Sequence, residues 1–222
     1  WFWDPVENVS LMPWFCLTAL LHTIIVLEKR EILKSWTLTL SIATFILSVS
    51  GTFLVRSGIL NSVHTFANDP DRGIFILIFL FILIFLSISL FFTFPIQEKN
   101  TNKKIFWISK ETSIMINNWF MMYFLSVVLI GTTYPVILEA LTNDKISIGP
   151  PFYNKLFLPF LIIFFIFMSF GPSLKWINNK GYKIAKGNFL YLFISIFISI
   201  LIINLSEIKY LFLTILFAAG FF

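Results

Sequence analysis

The chain contains two histidines among its 222 residues, His22 and His64, and an imidazole nitrogen is well suited to ligate iron. His22 lies inside an apolar run, about 16 Å down a helix that starts at Leu11 and rises 1.5 Å per residue. An ionisable side chain at that depth is costly and marks a functional candidate. The plainer alternative is a histidine that bonds a neighbouring helix or sits among headgroups near Glu28-Lys29-Arg30. His64 lies in a polar stretch, Asn61 to Pro70. Ile59, Leu60, Val63 and Phe66 share helical spacing there, which predicts a short amphipathic helix on a membrane surface, with His64 beside its apolar face. Taken alone, a loop histidine of this kind is more often an ordinary surface residue.

The third chemical feature is the opening segment, Trp1-Phe2-Trp3-Asp4-Pro5-Val6-Glu7-Asn8. Indole rings offer stacking area to a planar apolar macrocycle and N–H donors to its polar edge, so Trp1, Trp3 and Asp4 are candidate cofactor-binding residues. The competing reading is an ordinary aromatic belt at a membrane interface. Asp4 before Pro5 predicts a turn into a capped helix. The one cysteine, Cys16, lies in an apolar run and reads as a small packing residue. No CxxCH, phosphate loop, GxSxG or HExxH occurs. Glu139 and Asp144 stand at the end of an apolar run, where plain interface residues are the better reading than proton-relay acids.

These residues are positioned by a membrane protein. The chain is 58% hydrophobic and 12% charged, against roughly a quarter charged for soluble domains, and it holds 29 phenylalanines. Lipid is the natural solvent for such a surface. The fold class is therefore all-α, a polytopic helical membrane protein, with residues 1–222 as a single membrane domain. Runs of about 20 apolar residues predict six full spans, at Leu11–Leu27, Trp36–Val55, Ile74–Phe92, Trp119–Leu138, Leu156–Leu174 and Phe189–Leu205. A seventh begins near Tyr210 and is truncated. Asp69-Pro70-Asp71 reads as a helix start before the third span, and Ile148-Gly149-Pro150-Pro151 as a break in the loop before the fifth. Trp14, Trp36, Trp107, Trp119 and Trp176 fall at or near span ends.

Basic residues set the orientation. Lys29, Arg30, Lys34, Lys99, Lys103, Lys104, Lys110, Lys175, Lys180, Lys183 and Lys186 fall on one side. Arg56, Arg72, Lys145, Lys155 and Lys209 fall on the other. The richer side is cytoplasmic, so Trp1–Ser10 and the 56–73 and 139–155 loops face outward. The net charge of +5 then reports topology, and no nucleic-acid partner is implied. His22 lies towards the cytoplasmic half and His64 outside the bilayer, so the two serve separate sites if both ligate metal. A bis-histidine haem site takes two such ligands. The opening on Trp1 and the close inside an apolar run suggest a piece of something longer.

The stretch Trp1 to Trp14 resembles the tryptophan-rich "WWD" signature of haem-handling proteins, and Val6-Glu7-Asn8 with Leu11-Met12-Pro13-Trp14 is similar to the haem-lyase branch of cytochrome c maturation, the CcmF type. The family motif starts with another Trp and glycines that are not present here. The resemblance continues through Thr18 to His22, Glu28-Lys29-Arg30, Phe53 to Gly58 and Ser62 to Pro70. It also takes in Ile116-Asn117-Asn118, Gly131 to Pro135, Lys145 to Asn154 and Gly171-Pro172, ending near residue 176.

The resemblance implies an outward haem-binding segment over 1–14 and a haem-ligating His64 in the 56–73 loop. It makes His64 an axial ligand of haem held against the tryptophan-rich segment, and His22 a ligand of a haem b within the bilayer. The partner histidines are expected upstream of Trp1 and beyond Phe222. It further implies a multi-pass protein of a bacterial or mitochondrial inner membrane. Such a protein takes haem from a membrane-tethered haem chaperone (CcmE-type), works beside a thiol-handling maturation subunit (CcmH-type), and joins haem vinyl groups to the CxxCH cysteines of apocytochrome c. Positioning and redox tuning are the protein's share, and the bond chemistry is the cofactor's. Alternatives are a dedicated paralogue for a nitrite-reductase cytochrome, a haem transporter, and a proton-translocating respiratory subunit. The last requires several intramembrane acids or lysines, which spans two, three, five and six do not offer.

Overall fold

The computed structural model describes residues 1–60, 62, 64, 69–94, 96, 105–143, 145–177 and 181–205. Among them the secondary structure is helical throughout, in six α-helices: α1 Pro5–Arg30, α2 Lys34–Arg56, α3 Pro70–Thr93, α4 Lys110–Thr142, α5 Pro150–Phe170 and α6 Gly181–Leu205, with a short 3-10 turn at Gly171–Ser173. Five segments, α1 to α4 and Pro150–Ser173, are long and apolar enough to cross a membrane, and the described apolar stretch of α6, Leu190–Ile202, is shorter. The seventh span near Tyr210 lies outside the described residues, as do Val63 and Phe66 of the proposed surface helix, Asp144, and the loop lysines 99, 103, 104 and 180.

The helices outrun the apolar runs because polar residues cap them. Asp4 caps α1, accepting the Val6 N–H at 3.1 Å, with Pro5 at the first helical position. Glu7 closes the box, its Oε2 taking the Asp4 N–H at 3.4 Å and the Phe2 N–H at 3.0 Å. Asp69 does the same for α3, accepting from Arg72 N at 3.2 Å ahead of Pro70. Ser109 accepts from Thr112 N at 3.3 Å, which starts α4 at Lys110 and not at Trp119. The Pro150-Pro151 pair, expected to break a loop, instead begins α5 six residues ahead of the predicted span.

The chain divides into two compact units, residues 1–101 with 121–154, and residues 102–120 with 155–222. In the first, α1 is the central element. Met12, Cys16, Ala19, Thr23 and Val26 repeat at steps of three and four along its buried stripe. The turn at Glu31 and Leu33, both left-handed, folds α2 back against α1. Gly51 makes the approach close, since a Cβ there would sit 2.7 Å from Val9 Cγ1. Cys16 is fully buried and donates to Leu40 O at 3.6 Å. Phe15 meets Phe124 of α4 with ring centroids 5.9 Å apart.

In the second unit, buried Glu111 accepts the Ile177 N–H at both carboxylate oxygens, at 3.1 and 3.2 Å. Lys110 N donates to Lys175 O at 3.0 Å, and the Lys110 ammonium lies 5.8 Å from the Trp176 ring centroid. Phe120 packs on Phe164 and Phe167.

Candidate functional site

The aromatic segment is built on three long-range ties. Trp3 has φ of 59°, a left-handed conformation that costs a bulky residue about 1–3 kcal/mol and persists only when neighbours impose it. The Trp3 ring stacks on Tyr153 of α5, with centroids 4.5 Å apart and planes 8° from parallel. Trp3 Nε1 donates to Asn154 Oδ1 at 3.2 Å. The Asn8 amide nitrogen donates to Trp3 O at 3.2 Å and to the Tyr153 hydroxyl at 3.1 Å. Asn8 and Tyr153 are both 1% exposed, so these bonds form where water cannot replace them. Tyr153 lies against Gly131 of α4, where a Cβ would come within 2.7 Å of its hydroxyl.

One face of Trp3 is therefore taken by Tyr153. Free aromatic surface comes from its neighbours, as Trp1 is 59% and Phe2 82% exposed.

The histidine loop is tied to the same segment. Ser62 donates its hydroxyl hydrogen to Asp4 Oδ2, and Ser62 Oγ accepts the His64 N–H at 3.0 Å. His64 lies in a turn and is exposed. Two pieces of chain 58 residues apart, each with a predicted candidate, thus share Asp4. The exposed rings of Trp1 and Phe2 precede Asp4 in the chain, and Asp4 is tied through Ser62 to the backbone of exposed His64.

His22 belongs elsewhere. It is half-buried on α1, about 27 Å along the axis from Asp4 at 1.5 Å per residue. Trp1, Trp3, Asp4 and His64 therefore cluster, and His22 stands apart. Sequence reasoning missed Asn8, Ser62, Gly131, Tyr153 and Asn154 as supports. Gly131 within an apolar helix was the one local signal of close approach.

The family model described as Cytochrome C assembly protein matches residues 1–60, which include Trp1, Trp3, Asp4 and His22. The cytochrome c-type biogenesis protein CcmF of Pseudomonas fluorescens is 46% identical over 176 residues, 79% of this chain and 26% of that protein. The chain belongs to the CcmF-type cytochrome c assembly family. It spans about a quarter of the length of the curated relatives it matches. The cytochrome c-type biogenesis protein NrfE of Haemophilus influenzae, a CcmF-type paralogue, is 40% identical over 175 residues, 79% of this chain and 28% of that protein. The solved structure of Cytochrome c Heme Lyase CcmF matches 98% of this chain and 32% of its own, with a TM-score of 0.69. At 24% identity that match concerns the fold alone. Like its relatives in this CcmF-type family, the chain is a multi-pass helical membrane protein.

Proposed function

We propose that this chain is part of a haem lyase of cytochrome c biogenesis in a bacterial or mitochondrial inner membrane. Haem is the substrate, delivered by a membrane-tethered chaperone and joined to the two CxxCH cysteines of apocytochrome c, with a thiol-handling subunit keeping those cysteines reduced. Each thioether forms as a thiol S–H adds across a vinyl C=C, with no net gain or loss of electrons. The observation that carries the reading is the Asp4–Ser62–His64 tie, which holds the backbone of exposed His64 to the tryptophan-rich segment.

Within 1–222 as one membrane domain, segment 1–14 and loop 56–73 face outward, as the Lys and Arg distribution supports. Trp1 and Phe2 supply stacking surface, Asp4 and Trp3 fix that surface in place, and His64 ligates the iron of the outer haem. His22 would hold a haem b within the bilayer, and that group would supply electrons to the outer iron.

The test is covalent haem attachment to a reporter apocytochrome by the full-length protein in cells lacking their own lyase. Wild type is expected to give haem-stained cytochrome, and His64→Ala to lose it at unchanged protein level. Equal staining in both removes His64 from the site. For His22, normal attachment under oxidising conditions by a His22→Ala protein lacking haem b overturns the electron role.

A further inference from the structure

Asp4 is drawn into two jobs by one atom. Its Oδ2 accepts the Val6 N–H at 3.1 Å, which caps α1, and the same oxygen accepts the Ser62 hydroxyl. Ser62 Oγ then accepts the His64 N–H at 3.0 Å. The Ser62 hydroxyl has one hydrogen to give and lone pairs to receive with, so it uses both capacities at once. The path runs from a helix N-terminus, through a carboxylate and a hydroxyl, to the backbone of His64.

A side-chain bond to a backbone N–H two residues on is the local device that fixes a turn. Here the device is not left to itself, because Asp4 fixes the rotamer of the serine. Asp4 is held in turn by its place at the start of α1, where Glu7 and Pro5 set the backbone. The stiff part of the molecule thereby specifies where the His64 Cα stands. The path reaches His64 at its backbone N–H.

We propose that Ser62 and Asp4 are positioning residues for His64, with Ser62 as the link that sets the histidine loop against the aromatic segment. The proposal rests on the reading of His64 as an iron ligand and goes beyond it by naming what aims that ligand. Asp4 serves as an oxygen acceptor in this scheme, and its negative charge is not what the loop requires. A charge-assisted acceptor strengthens the bond to Ser62 without changing its role.

The experiment uses the full-length protein purified with haem from cells carrying the maturation system, and reads the visible and EPR spectra of the outer haem beside reporter attachment. His64→Ala is the reference for a lost ligand. Ser62→Ala removes the link and leaves the ligand. It is expected to shift a share of the haem from the low-spin to the high-spin spectrum and to lower attachment about three- to tenfold, the equivalent of one hydrogen bond. Ser62→Thr keeps the hydroxyl and is expected to restore the low-spin spectrum. Asp4→Asn keeps an oxygen acceptor and is expected to lose less than Asp4→Ala, which also uncaps α1.

A Ser62→Ala spectrum equal to wild type, while His64→Ala changes, overturns the positioning role and leaves the ligand reading intact. An unchanged spectrum in His64→Ala overturns the ligand reading itself. Asp4→Asn and Asp4→Ala equally impaired would show that the charge matters, which also overturns the proposal. If Ser62→Ala lowers protein level, the share of high-spin haem in the protein that is recovered, which does not depend on yield, still decides.

Discussion

Replacing Gly131 by alanine should destabilise the protein, although alanine is the better helix former. The added Cβ would lie 2.7 Å from the Tyr153 hydroxyl oxygen, 2.8 Å from Cε1 and 2.9 Å from Cζ. Overpacking of this kind costs about 1–3 kcal/mol. The change from glycine to alanine inside a helix returns about 1 kcal/mol. Tyr153 has no cheap way out, because its ring is stacked on Trp3 and its hydroxyl holds Asn8. Swinging it away forfeits a stack worth about 0.5–1.5 kcal/mol and a hydrogen bond worth about 1 kcal/mol.

The expected net loss is up to about 2 kcal/mol, the balance of overpacking and helix propensity. The assay is a double-mutant cycle with Tyr153→Ala, followed by denaturant titration in detergent micelles. In the Tyr153→Ala background the obstacle is gone, so Gly131→Ala should be neutral or stabilise by up to about 1 kcal/mol. The same loss in both backgrounds, or none in either, refutes the steric reasoning.

Three further outcomes separate structural from functional aromatic and polar residues. Trp3→Ala should cost stability through the Tyr153 stack, while Trp1→Ala, whose ring is mostly exposed, should leave the denaturation midpoint nearly unchanged and lower the haem retained on purification. Glu111→Ala leaves the Ile177 N–H without its carboxylate and should cost about 1–3 kcal/mol, seen also as faster hydrogen exchange at Ile177. Cys16, fully buried against Leu40, should react with a maleimide only after unfolding, and prompt labelling of the native protein would contradict the α1–α2 packing.

Much of the architecture was legible because lipid imposes a length on every apolar run. Helix starts at Asp4-Pro5 and Asp69-Pro70 were legible too, since capping is a local matter of side chain and neighbouring amide. The start of α4 was not. Hydropathy begins at Trp119, whereas the backbone begins coiling at Lys110, where Ser109 caps it and Glu111 is buried under Ile177. Pro150-Pro151 misled for the related reason that proline ends one helix and begins another with equal ease. At the site, the histidines and tryptophans drew attention by type. Their supports did not, because Tyr153 is distinguished by contacts with residues far away in sequence, Asn8 and Trp3 among them, and a serine in a polar loop carries no mark of the carboxylate it will meet.

That separation sets a schedule for biogenesis. The α1 cap is local and can form as soon as its first turn is made, whereas the stack of Trp3 on Tyr153 needs α5. At a synthesis rate of about 5–20 residues per second, the 145 residues between Asn8 and Tyr153 take about 7–29 s to emerge. For that interval the tryptophan segment lacks its seat, and the strained turn at Trp3 has the local Asn8 bond without the Tyr153 stack. Ligand binding there is expected to be a late event in the life of each nascent chain, gated by insertion of the fifth helix.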